Sequence, residues 1–186
     1  NGLSQSDYNG FVNNVCRVCG INSIDRLPRL HGFEGTLENV QGLRNANGGI
    51  IGLLSTDDSR TPYYMNESQK NYLSTKGKLI DLQNGLVFFP TIMRLDWFIS
   101  GFTSDYEYQT PIKNTPYEEL KYRYGISENA NRYRDLVIFV HEWQVYAASG
   151  IKDNFSLVES ACKFAYDYGY SFDFPMNRTE NYTSLV

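Results

Sequence analysis

The sequence predicts an α/β fold with a largely parallel sheet. Helix-forming segments alternate along the 186 residues with short, continuous apolar runs, a pattern typical of helices packed on buried strands. The runs "IIGLLST" and "LVIFV" are bounded by turn signals, and a predicted helix directly precedes the first, which is half of a βαβ unit. No internal repeat or low-complexity linker divides the chain, so we expect a single domain over residues 1–186.

The first two predicted helices carry start and stop signals. Ser4, with Asp7 three residues later, forms a capping signal before a helix that Gly20 ends. Thr36 is the expected N-cap of a second helix, and the pair Gly48–Gly49 ends it. The buried strand "IIGLLST" then follows directly.

The middle of the chain predicts a helix, a hairpin and a second helix. Asn66 or Ser68 begins a short helix. Two apolar runs flank Asn84–Gly85, residues that tolerate positive φ, and this pattern predicts a β-hairpin. Pro116 opens the next short helix and Gly125 closes it.

The last third predicts a buried strand, a helix and a final strand. "LVIFV" is the strand, Ser156 with Glu159 is a capping box, and Gly169 ends the helix. "YSFDFP" then reads as a short strand. The elements again alternate as an α/β fold requires.

Polar residues gather next to these apolar runs. In parallel sheets, functional side chains collect just past the carboxyl ends of strands. Adjacent carboxylates there can bind a metal or share acid and base roles, and a strand-end histidine can transfer protons. The clusters are Asp57, Asp58 and Arg60 after "IIGLLST"; His141, Glu142 and Trp143 after "VIFV"; Arg94 and Asp96 after "LVFFP"; and Arg29 with His31 before the second helix. The alternative is structural: a solvated turn at Asp57 and Asp58, and a His141 that donates to a backbone carbonyl.

Composition and missing motifs exclude several classes of protein. A formal net charge of -4 disfavours nucleic-acid binding, and no apolar stretch approaches the ~20 residues of a membrane span. The phosphate-binding loops, the GxSxG nucleophile elbow and the HExxH zinc motif are absent. The 15 Tyr, 11 Phe and 2 Trp suit carbohydrate or protein recognition, or simply an aromatic core.

Three segments resemble a known family. "LPRLHGFEGTLENVQGLRNANGGIIGLLSTDDSRTPYYM", "FFPTIMRLDW" and "LVIFVHEW…ACKFAYDYGYSF" resemble the later part of a polysaccharide deacetylase-like (NodB-type) domain. The resemblance implies an irregular (β/α) barrel that removes acetyl groups from N-acetylated sugars with a divalent metal, usually zinc. It covers about four-fifths of the chain and rests on overall pattern.

The resemblance transfers few residue roles. His141 matches the family's strand-end histidine, which protonates the leaving amine. "STDD" resembles the family's TFDD motif, but no HxxxH pair follows it, and His31 supplies at most one metal ligand. Expected catalytic residues are His141, Arg94, Asp96, Asp57 and Asp58, and expected substrate-binding residues are Arg29, His31, Arg60, Tyr63 and Trp143. The arginines would orient a base or a sugar substituent, and the aromatic rings would stack on pyranose faces.

Several interpretations stay open at this point. The chain starts at Asn1 without an initiator Met, which indicates a carboxyl-terminal piece whose zinc ligands lie upstream; a divergent member without the metal is the other interpretation. The predicted function is that of a carbohydrate deacetylase-like protein, with metal-dependent hydrolysis of N-acetyl groups on a polysaccharide or glycan, and we expect this chain to be incomplete or inactive. The alternative is a non-catalytic carbohydrate-binding or scaffold module on the same fold. A phage or viral surface protein is a third possibility.

Overall fold

The computed structural model describes residues 4–20, 24–46, 48–56, 60–98, 112–125, 135–140, 154–175 and 177–178. Within these ranges the chain has five α-helices and four β-strands, so the protein is of mixed α/β type. Two compact units form. The first comprises Asn1–Pro90 and Asp173–Val186, and the second comprises Thr91–Phe172. The expectations of a single domain and of a barrel stay predictions.

The first unit contains the predicted amino-terminal helices. Its elements are α1 (Gln5–Cys19), a 3-10 turn (His31–Phe33), α2 (Leu37–Arg44), β1 (Gly52–Thr56), α3 (Glu67–Lys76), β2 (Leu79–Asp81) and the first part of β3 (Leu86–Arg94). The capping box of Ser4 and Asp7 is present, and the side chains of Thr36 and Asn66 accept hydrogen bonds from the first turns of α2 and α3. These predicted helix starts are confirmed.

The core of the first unit lies where these elements meet. Helix residues Tyr8, Val12, Val40 and Leu43 are buried with strand residues and with part of the chain between β1 and α3. Burial of these apolar side chains, worth about 1.5–3 kcal/mol for each large one, holds β1 against the helices. The rest of this core is Ala46, Ile50, Leu53, Met65, Leu73, Leu86 and Phe88.

The second unit contains the rest of β3 and the later helices. Its further elements are a 3-10 helix (Leu95–Phe98), α4 (Pro116–Tyr124), β4 (Val137–Phe139) and α5 (Phe155–Asp167). Pro116 opens α4 and Gly125 caps its end, as the sequence predicts. The core consists of Ile92, Met93, Leu95, Trp97, Leu120, Tyr124, Ala161 and Phe164.

The sheet is mixed rather than parallel throughout. The strand order is β1-β3-β2, and β4 also pairs with β3. The predicted hairpin is confirmed: β2 runs antiparallel to β3, because the chain turns straight back at Asn84–Gly85, where Gly85 has φ 62°. β4 runs parallel to β3, with Phe139 opposite Arg94. The strand "LVIFV" is only half-buried, so the prediction of a fully buried strand there is wrong.

Two predictions for the carboxyl-terminal region are also wrong. Helix α5 begins at Phe155 with Asn154 as its N-cap, which places Ser156 inside the first turn, where it cannot form the predicted capping box. Residues 171–174 form neither helix nor strand. Phe172 and Phe174 are 69% and 73% exposed, so this segment lacks the buried face that alternating residues of a packed strand would give it. Gly169, with φ 74°, does follow the end of α5 as expected.

No helix among the described residues is both long and apolar enough to cross a membrane.

Candidate functional site

Two arginine side chains lie against one buried aromatic ring in the first unit. The guanidinium carbon of Arg29 lies 5.2 Å from the centroid of the Phe33 ring, and that of Arg60 lies 4.8 Å from it. Both distances are within the range of about 6 Å for cation–π attraction. Phe33 is 2% exposed, whereas the two arginines are half-buried and partly reach solvent. With Tyr63, these residues form what we call the Phe33 cluster.

The backbone of the cluster is strained. Phe33 has φ 58° and Tyr63 has φ 52°, in the left-handed region that bulky side chains rarely adopt. Each such residue costs about 1–2 kcal/mol. The Tyr63 N–H donates to the Phe33 carbonyl over 2.7 Å, and the Phe33 N–H donates to the Leu30 carbonyl over 3.1 Å. These bonds join the two strained residues and hold the chain segments that carry the arginines.

Tyr63 ties the cluster to β1. Its hydroxyl donates to the Leu54 carbonyl over 2.5 Å and accepts from the Leu30 N–H over 3.4 Å. Burial raises the pKa of Tyr63, against smaller opposing effects from the Leu30 hydrogen bond and the Arg29 charge, so the hydroxyl stays protonated. Its ring centroid lies 6.0 Å from that of Phe88 in the core. The hydroxyl is thus an anchor for the backbone, and stacking of the ring on a sugar stays a prediction.

The cluster concentrates positive charge in an acidic protein. The two guanidinium carbons lie at most about 10 Å apart, the sum of their distances to the shared ring centroid. Two unit charges at that separation repel by about 1.7 kcal/mol at an effective dielectric constant of about 20. Arginine stays protonated in proteins at every working pH. The chain carries a net charge of -4, so two arginines on one ring are a local concentration of basic side chains in an acidic protein.

The chain places three other candidates beside this cluster in sequence. His31 begins the 3-10 turn that ends at Phe33, although its side chain lies outside the described structure. Asp57 and Asp58 follow the last residue of β1 and precede Arg60, and both lie outside the described residues.

The catalytic candidates of the second unit lie at the ends of two paired strands. Arg94 ends β3, and its guanidinium carbon lies 5.5 Å from the centroid of the Phe139 ring in β4. Because β3 and β4 are parallel, their carboxyl ends share one edge of the sheet. Asp96 follows in the 3-10 helix, with its side chain outside the described structure. His141 comes two residues after β4, and it lies, like Trp143, outside the described residues.

Sequence reasoning missed Phe33, the residue that brings Arg29 and Arg60 together. Its neighbours Gly32 and Gly35 mark a turn, and Gly32 does have φ 63°, but neither glycine indicates a buried ring. Only the tertiary structure shows this contact, since Phe33 and Arg60 are 27 positions apart in the chain.

A second missed feature is a buried ion pair in the second unit. Glu119, 1% exposed, pairs with Arg123 and accepts from the Lys113 N–H over 2.8 Å. The guanidinium carbon of Arg123 lies 5.6 Å from the Trp97 ring centroid. The spacing of four residues on α4 was a visible signal for this pair. Its burial and its contact with Trp97 indicate a role in packing.

The described residues do not fit the zinc site that the family resemblance implies. In this part of the chain no group of three His, Cys, Asp or Glu side chains is positioned to hold a metal ion. Candidate ligands Asp57, Asp58 and His141, and the side chain of His31, lie outside it. We therefore derive no reaction step through a metal.

Comparisons with known proteins give no match: no family model matches the chain, and neither a curated protein nor a solved structure does.

Proposed function

We propose that the protein binds carbohydrate, with the Phe33 cluster as the binding site. The observation that carries this proposal is the pair of half-buried arginines, Arg29 and Arg60, held on one buried ring near the end of β1. Each guanidinium carries five N–H donors in a fixed plane, so it can bind a ligand in addition to the further contacts that both arginines make. Sugars offer hydroxyl and ring oxygens as acceptors, so a pair of positioned donor groups suits them.

The rigidity of the cluster supports a binding role. Backbone strain is concentrated at functional sites in many proteins, where the surrounding structure maintains it. Here the hydrogen bonds of Tyr63 to Phe33 and Leu54 hold two strained residues in place. A site whose donors are already positioned loses less conformational entropy when a ligand binds.

The test is a binding measurement on immobilised polysaccharides and oligosaccharides. We expect at least one saccharide to bind, and we expect Arg29→Gln and Arg60→Gln each to weaken binding about tenfold or more, as removal of charged hydrogen-bond donors does. Arg17→Gln is the matched control, because Arg17 is exposed on α1 and lies outside the cluster. No binding to any saccharide, or an equal loss in the control, would refute the proposal.

Deacetylation is the second candidate, and the parallel β3–β4 pair favours it. The pair brings Arg94 to the edge of the sheet where the chain leads from Phe139 to His141. In the proposed roles, His141 protonates the leaving amine and Arg94 orients the acetamide, with Asp96 as the candidate carboxylate of the same unit. A carbohydrate deacetylase would bind its polymer before this step, so the two candidates are compatible.

Acetate release from N-acetylated oligosaccharides, in buffer with added Zn²⁺, tests this second candidate. Release by the unaltered chain would show that this chain has the activity, and we then expect a loss of at least 100-fold in His141→Ala, the usual contribution of a general acid. Arg17→Gln should keep full activity. Release that is unchanged in His141→Ala would contradict the proposed role of His141, and no release from any substrate would leave carbohydrate binding as the function.

A further inference from the structure

We infer that Cys16 and Cys19 form a reversible disulfide when the protein reacts with a small-molecule disulfide, and that this bond changes the last turn of α1. The two residues belong to the segment "CRVC" at the end of that helix. The inference is independent of the proposed carbohydrate site. It follows from the spacing of two thiols on one helix, from their exposure and from the way the helix ends.

Helix α1 places the two cysteines next to each other. It spans Gln5–Cys19, so both residues have helical backbone and stand three positions apart. With a rise of about 1.5 Å per residue and a radius of about 2.3 Å, their Cα atoms are about 5 Å apart. Disulfides join Cα atoms that are about 4.4–6.8 Å apart. Residues three positions apart also lie on the same face of a helix, so the rest of the fold need not move to bring the thiols together.

The exposure of the two thiols suits disulfide exchange. Cys19 is exposed, whereas Cys16 is half-buried and packs against the core of the first unit. Both carry thiols in the structure, and Cys19 is exposed even though it makes a further contact. A small-molecule disulfide can therefore reach Cys19 first, and Cys16 can then attack the mixed disulfide from the neighbouring turn position.

The reaction consists of two steps of thiol–disulfide exchange. The Cys19 thiolate attacks the small-molecule disulfide RSSR, forms a mixed disulfide with one RS group and releases the other as a thiolate. The Cys16 thiolate then attacks the Cys19 sulfur, forms the protein disulfide and releases the second thiolate. The two released thiolates take up the two protons that the cysteines lost. The protein is thus oxidised by two electrons, and RSSR is reduced to two RSH.

The end of α1 can accommodate this bond. Cβ atoms at this spacing lie about 5–6 Å apart, and a disulfide needs about 3.5–4.5 Å, so the last turn must shift by about 1.5 Å. Cys19 is the last residue of the helix, and Gly20 then leaves the helical path with φ 87° and ψ 160°. The Gly20 N–H donates to the Cys16 carbonyl over 3.0 Å, and we expect the shift to weaken this hydrogen bond.

The main experiment treats the folded full chain with oxidised glutathione at pH 8. Remaining thiols are blocked with iodoacetamide, and mass spectrometry of non-reduced peptides locates each modification. Cys162 is the matched control in the same molecule, because it is exposed and α5 has no second cysteine. We expect Cys162 to keep a glutathione adduct, and we expect the Cys16–Cys19 disulfide to exceed any adduct at these two residues about tenfold or more. Dithiothreitol should reverse the reaction.

The other outcomes contradict the inference. A lasting glutathione adduct at Cys19, a disulfide between Cys19 of two chains, or no modification of either residue would each overturn it. In Cys16→Ser the attacking thiol is lost, so we expect the adduct at Cys19 to persist. The reaction is repeated in urea below the unfolding midpoint, and a rate that rises in proportion to the unfolded fraction would assign the bond to the unfolded chain.

Hydrogen exchange measures the change in the last turn. We expect the Gly20 amide to exchange about tenfold faster or more in the oxidised chain than in the reduced chain. The Gly77 amide is the matched control, because it ends α3 of the same unit through a 2.8 Å bond to the Leu73 carbonyl and should be unchanged. Equal exchange at Gly20 in both forms would overturn the proposed change in the helix. Equal acceleration at Gly77 would show that oxidation loosens the whole unit rather than the last turn of α1.

Discussion

Asp81 holds the hairpin of the first unit through its carboxylate, and Asp81→Asn tests this directly. One carboxylate oxygen accepts from the Tyr64 hydroxyl over 2.7 Å and from the Asn84 side-chain amide over 2.8 Å, and the other accepts from the Asn84 N–H over 3.2 Å. Gln41 of α2 donates to the Asn84 side-chain oxygen over 2.9 Å. The network thus joins the turn between β2 and β3 to α2 and to the segment before α3.

The loss of stability expected in Asp81→Asn follows from the number and type of these hydrogen bonds. Hydrogen bonds to a charged group contribute about 1.5–3 kcal/mol, and neutral ones about 0.5–1.5 kcal/mol. An asparagine at position 81 keeps the shape of the side chain, but its hydrogen bonds are neutral. Its NH₂ group also replaces one of the acceptor oxygens, so that a donor faces another donor. We expect the free energy of unfolding to fall by about 2–3 kcal/mol at pH 7, because Asp81 is only 7% exposed and water does not replace the lost bonds.

The same carboxylate predicts a pH dependence. Burial alone would raise the pKa of Asp81, but hydrogen bonds from Asn84 and Tyr64 outweigh it and lower the pKa below its usual value. A carboxyl group with a lowered pKa stabilises the fold fully above its unfolded pKa of about 3.9. That contribution is lost as the pH falls through the lower pKa of the folded protein. The difference between the unaltered chain and Asp81→Asn should therefore shrink below about pH 4.

Urea denaturation followed by circular dichroism, at pH 7 and at about pH 3, measures both effects. Glu159→Gln makes the same charge change at an exposed position of α5, and we expect it to alter the unfolding free energy by less than about 0.5 kcal/mol. A loss in Asp81→Asn that is equal at both pH values would refute the role given to the ionised carboxylate. A loss below about 0.5 kcal/mol at pH 7 would refute the network as a whole.

Two further predictions concern local structure in each unit. Gly52→Ala should destabilise the first unit by about 3 kcal/mol or more, because an added Cβ overlaps the backbone carbonyl of Val87. The urea midpoint of unfolding measures this loss, and an unchanged midpoint would mean that β1 is free to move. Asn66→Ala should lower the free energy of unfolding by about 1 kcal/mol, because it removes a helix cap. Ser156→Ala should lower it by less than about 0.5 kcal/mol, because Ser156 lies inside α5, and equal losses of stability in thermal unfolding would contradict the assigned start of α5.

The sequence predicted the elements that depend on local chemistry. Capping side chains at Ser4, Thr36 and Asn66, and the turn at Asn84–Gly85, each act on residues within three positions of themselves. Such signals need no knowledge of the rest of the fold. The start of α5 was predicted wrongly because Ser156 with Glu159 matches a capping box in the sequence, whereas the actual N-cap, Asn154, makes no side-chain capping hydrogen bond. Local rules alone do not decide between two candidate caps.

The candidate site depends on distant contacts, and the sequence therefore predicted its members but not its arrangement. Arg29 and Arg60 were identified because each lies near a turn or strand end, yet nothing in the sequence indicates that both contact the same ring. The mixed sheet has a similar origin. The parallel pairing of β4 with β3 joins segments more than 40 residues apart, and only the three-dimensional structure shows which strands become neighbours.

The strain at Phe33 and Tyr63 links the fold to the proposed site. Glycine adopts positive φ at no steric cost, so the turns alone do not require a bulky side chain at either position. Each ring instead provides what glycine lacks: the Phe33 ring contacts both guanidinium groups, and the Tyr63 hydroxyl bonds to the Leu54 carbonyl of β1. The strained conformations place these rings so that the two arginines are held beside the end of a buried strand. Burial of the Phe33 ring and the hydrogen bonds of Tyr63 offset the energetic cost of this strain, and they also set the position of the arginines, on which the proposed carbohydrate binding depends.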